Sequence, residues 1–99
     1  MLAMLELEGD TRELLQASEE LKRRLPAPEG LLARIVAPTE DAMVLFQLWE
    51  SVEARQRNAD NPVHAQALVD SGIQARVRGS RSRVFDEAVL QHLAEGIAP

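Results

Sequence analysis

The alternation of apolar and polar residues divides the chain into strand-like and helix-like stretches separated by turn residues. Leu2–Leu7 is a short apolar run, with Ala3, Leu5 and Leu7 on one parity and Leu2, Met4 and Glu6 on the other. It is too short for a helix and stops at Gly9-Asp10, which predicts a strand. Asp10-Thr11-Arg12-Glu13 reads as a capping box, in which the Asp10 carboxylate accepts the Glu13 amide. Leu14, Ala17, Ser18, Leu21 and Leu25 then recur at helical spacing, and Lys22, Arg23 and Arg24 suit the negative end of the helix dipole. Pro26 and Pro28 end that helix, and Gly30 closes the loop.

Leu31–Ala37 and Met43–Trp49 are two further apolar runs, joined by Pro38-Thr39-Glu40-Asp41. A short polar turn between such runs predicts an antiparallel hairpin. Ser51 caps a second helix, which Asn61-Pro62 interrupts as a new N-cap with proline at the first helical position. Val63, Ala67 and Leu68 supply its apolar side, and Gly72 falls where a C-terminal cap belongs. The last strand is expected within Ala75–Phe85, with a bulge at Gly79 as one option. Residues 86–95 have the pattern of a short terminal helix, and 86–99 otherwise form a tail. The order strand, helix, strand, strand, helix, strand is the ferredoxin-like βαββαβ arrangement, an α+β fold with two helices on one face of an antiparallel sheet. One domain, 1–99, is expected.

Strand parity leads to an expectation about pairing. Ala3, Leu5 and Leu7 with Ala33, Ile35, Val44, Phe46 and Leu48 form a wholly apolar set, assigned to the helix side. The other set, including Met4, Leu45 and Trp49, is then left without cover, and a second copy packed sheet to sheet would provide it. On that assignment Glu6, Arg34 and Gln47 lie in or beside the space between the sheets, either lining a ligand cavity or, for Glu6 and Arg34, pairing across strands.

Composition narrows the chemistry. The chain has no cysteine, which excludes disulfides, thiolate metal sites and cysteine nucleophiles. Three aromatic residues in 99 leave the core to aliphatic side chains. Residues 1–50 carry ten acids against five bases, and 51–99 six of each. A net charge of −5 disfavours a nucleic-acid partner. No apolar stretch approaches the roughly 20 residues of a membrane span, and Met1–Leu7 lacks the basic start of a signal peptide; a cytoplasmic location is expected. Arg76, Arg78, Arg81 and Arg83 occur with no acid between them, as an exposed strand face or an anion site. They share one face only if Gly79 is a bulge.

His64 is the candidate general base, because the dipole of a helix start favours the neutral, proton-accepting imidazole. A cap or solvated histidine is the alternative reading of the same position. Trp49, the one tryptophan, is either packing or a wall on which a flat ligand stacks. Asn58 is a polar positioner or part of the helix break. Two histidines, 64 and 92, far apart in sequence make a weak metal site.

Leu48-Trp49-Glu50-Ser51, then Glu53-Ala54, then Asn61-Pro62-Val63-His64 resemble the antibiotic-biosynthesis-monooxygenase-like group, dimeric α+β barrels of the same element order. The motifs lie in residues 48–64, and the element order extends the likeness to about Phe85. The group contains cofactor-independent quinone-forming monooxygenases, haem-degrading enzymes and many small proteins of actinobacterial type, to which this chain comes nearest. In haem-degrading members a tryptophan and a haem-ligating histidine occupy places held here by Asn58 and Leu68, so haem degradation is not implied. In the monooxygenases Asn, Trp and Tyr-type groups position a polycyclic phenol; Trp49 and Asn58 match, and no tyrosine is present. The expectation is a homodimer that binds a small aromatic or anionic molecule without a cofactor, as a monooxygenase or isomerase. His64 would be its base, and Trp49, Asn58, Gln47, Arg34 and Glu6 its binding residues. A non-catalytic association or effector-sensing domain is the alternative.

Overall fold

A computed structural model describes residues 1–88. Four strands, β1 (Leu2–Glu8), β2 (Leu31–Pro38), β3 (Ala42–Trp49) and β4 (Gly79–Phe85), form one antiparallel sheet in the order β2-β3-β1-β4. Helices α1 (Thr11–Arg24), α2 (Val52–Asp60), α3 (Pro62–Ser71) and α4 (Ile73–Arg76) pack on one face of it. This is the ferredoxin-like α+β arrangement, with the second helix of the motif divided into three pieces.

The caps behave as their side chains require. Asp10 Oδ1 accepts the Glu13 amide at 2.9 Å, Ser51 Oγ accepts that of Ala54 at 3.1 Å, and Asn61 Oδ1 accepts that of Val63 at 2.9 Å. Asn61 ends α2 and starts α3, because proline at the next position has no amide to bond back into α2. Gly72 closes α3 at φ 71°, a left-handed backbone that side chains disfavour. The chain then makes one more turn, α4, which overlaps only the first two residues of the Ala75–Phe85 range expected to contain the last strand. Consequently β4 starts at Gly79, and its register with β1 runs without a bulge from Glu8–Gly79 to Leu2–Phe85. Of the proposed terminal helix, residues 86–88 carry no helix and the remainder lies outside the described residues.

Register decides which residues face the helices. Leu5 lies opposite Leu45, Leu7 opposite Met43 and Ala3 opposite Gln47. Opposed residues of an antiparallel pair share a face, so odd-numbered residues of β1 and β3 point to the helices together. Met43, Leu45, Leu14, Ala17 and Ile73 are buried as one cluster, with Leu5, Leu7 and Leu68 packed against it. Met1, Ala3, Trp49 and Ala54 form a second.

The parity grouping made from the sequence is therefore half right. β1 faces as expected, but β2 and β3 are reversed: Leu45 and Trp49 are core, and Ile35, Val44, Phe46 and Leu48 lie on the outer face. Arg34 and Gln47 sit opposite one another on the helix side, not between sheets. The physical reason is that both parities of Ala42–Trp49 are apolar, so pattern gives no preference and pairing with β1 settles it. A bulge at Leu32, where the register steps from Leu31–Trp49 to Ala33–Leu48, adds a further parity change in β2.

Leu14 is fully buried at the centre of the larger cluster. Leu14→Ala should lower the unfolding free energy by about 3 kcal/mol, from lost apolar burial and the cavity left behind. Val69→Ala, at a position 63% exposed, should change it by less than about 0.5 kcal/mol. Urea denaturation followed by far-UV circular dichroism checks both.

Candidate functional site

The sheet and the helices do not close completely on one another. Between them lies a cavity of about 590 Å³ whose floor is β1 and β3 and whose walls come from α1, α2, α3 and α4. Leu5, Leu7 and Leu45 form the floor, and Leu21, Leu68 and Ile73 line the helix side. Its polar lining includes Arg34, Gln47, Arg55, Asn58 and His64, with Trp49 beside them. A largely apolar hollow with a few convergent polar groups is the usual form of a small-molecule site.

Each polar residue is aimed inward by a local cause. Gln47 interrupts the apolar run of β3 on its helix-facing parity, and its side-chain oxygen accepts the Trp49 indole N–H at 3.3 Å. That bond, with packing against Met1, Ala3 and Ala54 that leaves Trp49 2% exposed, holds the indole as a core residue bordering the cavity. The peptide oxygen of Trp49 accepts a hydrogen bond from the Met1 ammonium at 3.0 Å, tying the end of β3 to the chain start. Arg34 reaches over the sheet edge to α1, where its Nη2 donates to the buried Ser18 Oγ at 3.3 Å. Arg55, Asn58 and Ala59 line the cavity together from positions three and four apart on α2. Packing of Ala54 against the β2 start holds that helix down: a Cβ on Gly30 would come within 2.6 Å of the Ala54 Cβ.

His64 occupies the first turn of α3, where its amide donates to the Asn61 carbonyl at 3.0 Å. Its ring is half-buried and reaches the main cavity and an adjoining cleft of about 390 Å³ that also touches Trp49, Asn58, Arg34 and Gln47. No imidazole hydrogen bond forms among the described residues, so neither ring nitrogen is committed to a structural partner.

Five of the six residues singled out from the sequence thus converge on one space. Glu6 does not join them: it lies on the opposite sheet face, 4.0 Å from Arg81, which also stands 3.9 Å from Glu8. The four arginines of residues 76–83 are dispersed as well. Arg76 ends α4 and donates to the Gly72 carbonyl at 2.8 Å, Arg78 precedes β4, and Arg81 and Arg83 line the outer face, Arg83 above the Phe85 ring. Sequence reasoning missed Arg55 and Ser18. Arg55 stood in view, three residues before Asn58 on the same helix. Ser18 became legible only once Arg34 was known to face α1. Among the described residues no cluster of His, Asp and Glu gathers that could hold a metal ion. No helix there is long and apolar enough to cross a membrane.

The fold has many solved counterparts. SnoaB from Streptomyces nogalater, a cofactor-independent oxygenase, superposes with a TM-score of 0.64 at 17% identity over 95% of this chain and 97% of that one. A candidate antibiotic biosynthesis monooxygenase from Chloroflexus aurantiacus gives 0.62 at 17% identity, covering 93% of this chain and 97% of that one. A second such protein, from Nitrosomonas europaea, gives 0.67 at 8% identity, covering 89% and 98%. No family model and no curated protein sequence matches the chain. The chain has the fold of the antibiotic biosynthesis monooxygenases along nearly its whole length, as the motifs around Trp49 and His64 implied.

The site separates residues that hold the fold from those that do not. Trp49→Ala should cost about 3–5 kcal/mol of stability, whereas His64→Ala should stay within about 0.5 kcal/mol of the parent. Urea midpoints of the two variants, read by circular dichroism, test this.

Proposed function

We propose that the protein binds a small, flat aromatic molecule in the cavity between sheet and helices and abstracts a proton from it without a cofactor. The observation that carries this reading is the convergence of Trp49, Asn58, Gln47 and an uncommitted His64 on one largely apolar space. Trp49 borders the ring system, Asn58 and Gln47 accept and donate hydrogen bonds at its edge, and His64 takes the proton. An anion formed on a conjugated ring is itself an electron donor. It can reduce dioxygen directly, turning a ring CH₂ into a carbonyl while O₂ supplies the carbonyl oxygen and leaves as water with the two hydrogens. That balance needs no bound redox group, and it agrees with the oxygenase activity named for SnoaB. Reprotonation of the same anion at another carbon would give an isomerase, and the base and the wall would be the same.

Anthrone is a suitable probe. Saturable quenching of Trp49 fluorescence is expected, with oxygen uptake and anthraquinone formation above the buffer rate. His64→Ala should cut the enzyme-dependent rate at least a hundredfold, the lower end of what a positioned base contributes, while leaving quenching in place. Quenching without uptake would move the reading to a non-catalytic binding or effector-sensing domain.

We propose, too, that a second copy of the chain covers the outer sheet face. Met4, Ile35, Val44, Phe46 and Leu48 lie there with no helix over them among the described residues, and Ile35 is 61% exposed. Apolar surface of this continuity favours self-association, and Glu6, Glu8, Arg81 and Arg83 flank it as a polar margin. Ile35→Arg should convert a dimer into monomers in sedimentation equilibrium. Leu45→Arg places a charge in the core and should unfold the chain. A dimeric Ile35→Arg protein would refute this use of the face.

A further inference from the structure

We infer that the molecule held in this cavity carries a carboxylate or a comparable planar oxyanion, seated by Arg34 and Arg55. The inference rests on the cavity being a ligand site, as proposed above, and specifies the chemistry of its occupant.

The charges around the cavity run against the composition of the chain. Sixteen acids outnumber eleven lysines and arginines overall, yet Arg34 and Arg55 are the ionic residues lining the main cavity. The adjoining cleft repeats the pattern, with Arg34 and Lys22 on its wall and no acid. Neither Arg34 nor Arg55 forms an ion pair among the described residues, and Glu50 and Glu53, the acids nearest Arg55 in sequence, do not line the cavity. At the end of α1, Arg23 and Arg24 both engage Glu20.

The two guanidinium groups also come from independent elements. Arg34 is directed inward by its register with Gln47 on the sheet. Its contact within the protein is to the neutral Ser18 hydroxyl, which orients the group without neutralising it. Arg55 is half-buried and enters from α2. A guanidinium offers parallel N–H donors that match the two oxygens of a carboxylate, and two such groups facing an apolar hollow attract an anion more strongly than bulk water would allow. The aromatic body of the ligand then lies against Trp49, and its charged end points to the sheet edge where Arg34 sits.

Two isosteric probes separate charge from shape: 2-naphthoate and 2-naphthamide, titrated by isothermal calorimetry at low ionic strength. The wild-type protein should bind naphthoate at least about tenfold more tightly than naphthamide. Raising the salt should weaken naphthoate alone. The double variant Arg34→Gln, Arg55→Gln should bring naphthoate to within about twofold of naphthamide and leave naphthamide affinity unchanged, and Arg34→Lys should retain part of the preference. Circular dichroism confirms that the variants fold. Equal affinity of wild type for both probes overturns the anion inference and leaves the cavity as a site for neutral molecules. No binding of either probe overturns the ligand-site reading together with it.

Discussion

The pairing of Leu5 with Leu45 fixes the rest of this molecule. Once β3 lies against β1 in that register, Met43, Leu45, Gln47 and Trp49 must turn toward the helices, and Val44, Phe46 and Leu48 must turn away. A slip of one residue would exchange the two sets completely. The core around Leu14, the indole wall and the outer apolar face are all consequences of that one alignment. It is held from both ends, by the bonds that the Gly9 amide and Thr11 hydroxyl donate to the Asp41 and Ala42 carbonyls and by the Met1–Trp49 bonds at the other end.

The same alignment explains why the cavity exists. A sheet face lined only by large apolar residues would close against α1 and α3. Here Gln47 and Arg34 occupy neighbouring positions on it, and short Ser80 and Ser82 continue the same face along β4. Polar and small side chains leave room that the helices, broken at Asn61 and Gly72, do not fill. The break at Asn61-Pro62 also brings His64 to the cavity rim, so the capping sequence that interrupts the helix is part of what builds the site.

Much of the fold was legible in sequence because its signals were local. Asp10, Ser51, Asn61 and Gly72 each mark a helix boundary through their own side chain or backbone, and no tertiary information is needed to read them. Strand faces were another matter. Residues 42–49 are apolar on both parities, so placing the most uniformly apolar set inside was a reasonable default that failed. Arg34 and Gln47 were assigned outward because they are polar, and they point inward because the β1–β3 register turns Gln47, and with it Arg34, toward the helices. The break at Gly72 was read correctly, but the extra turn of α4 was not, since Ile73–Arg76 is too short to show a periodicity of its own. Trp49 stood out as the one tryptophan and His64 by its place at a helix start, and resemblance to a known motif added weight to both and to Asn58. Arg55 belonged to no motif and emerged only from the shared face of α2.

The central claim is that the two faces of one sheet serve different ends, the helix side receiving a small molecule and the outer side a second copy of the chain. Heteronuclear NMR of the protein titrated with 2-naphthoate tests the division directly. The account predicts shifts at the Trp49 indole N–H, the Asn58 and Gln47 side-chain amides and the Leu45 and Leu68 methyls, with the methyls of Ile35, Val44 and Leu48 unmoved. Shifts confined to Ile35, Val44 and Leu48, or none at all, would contradict it.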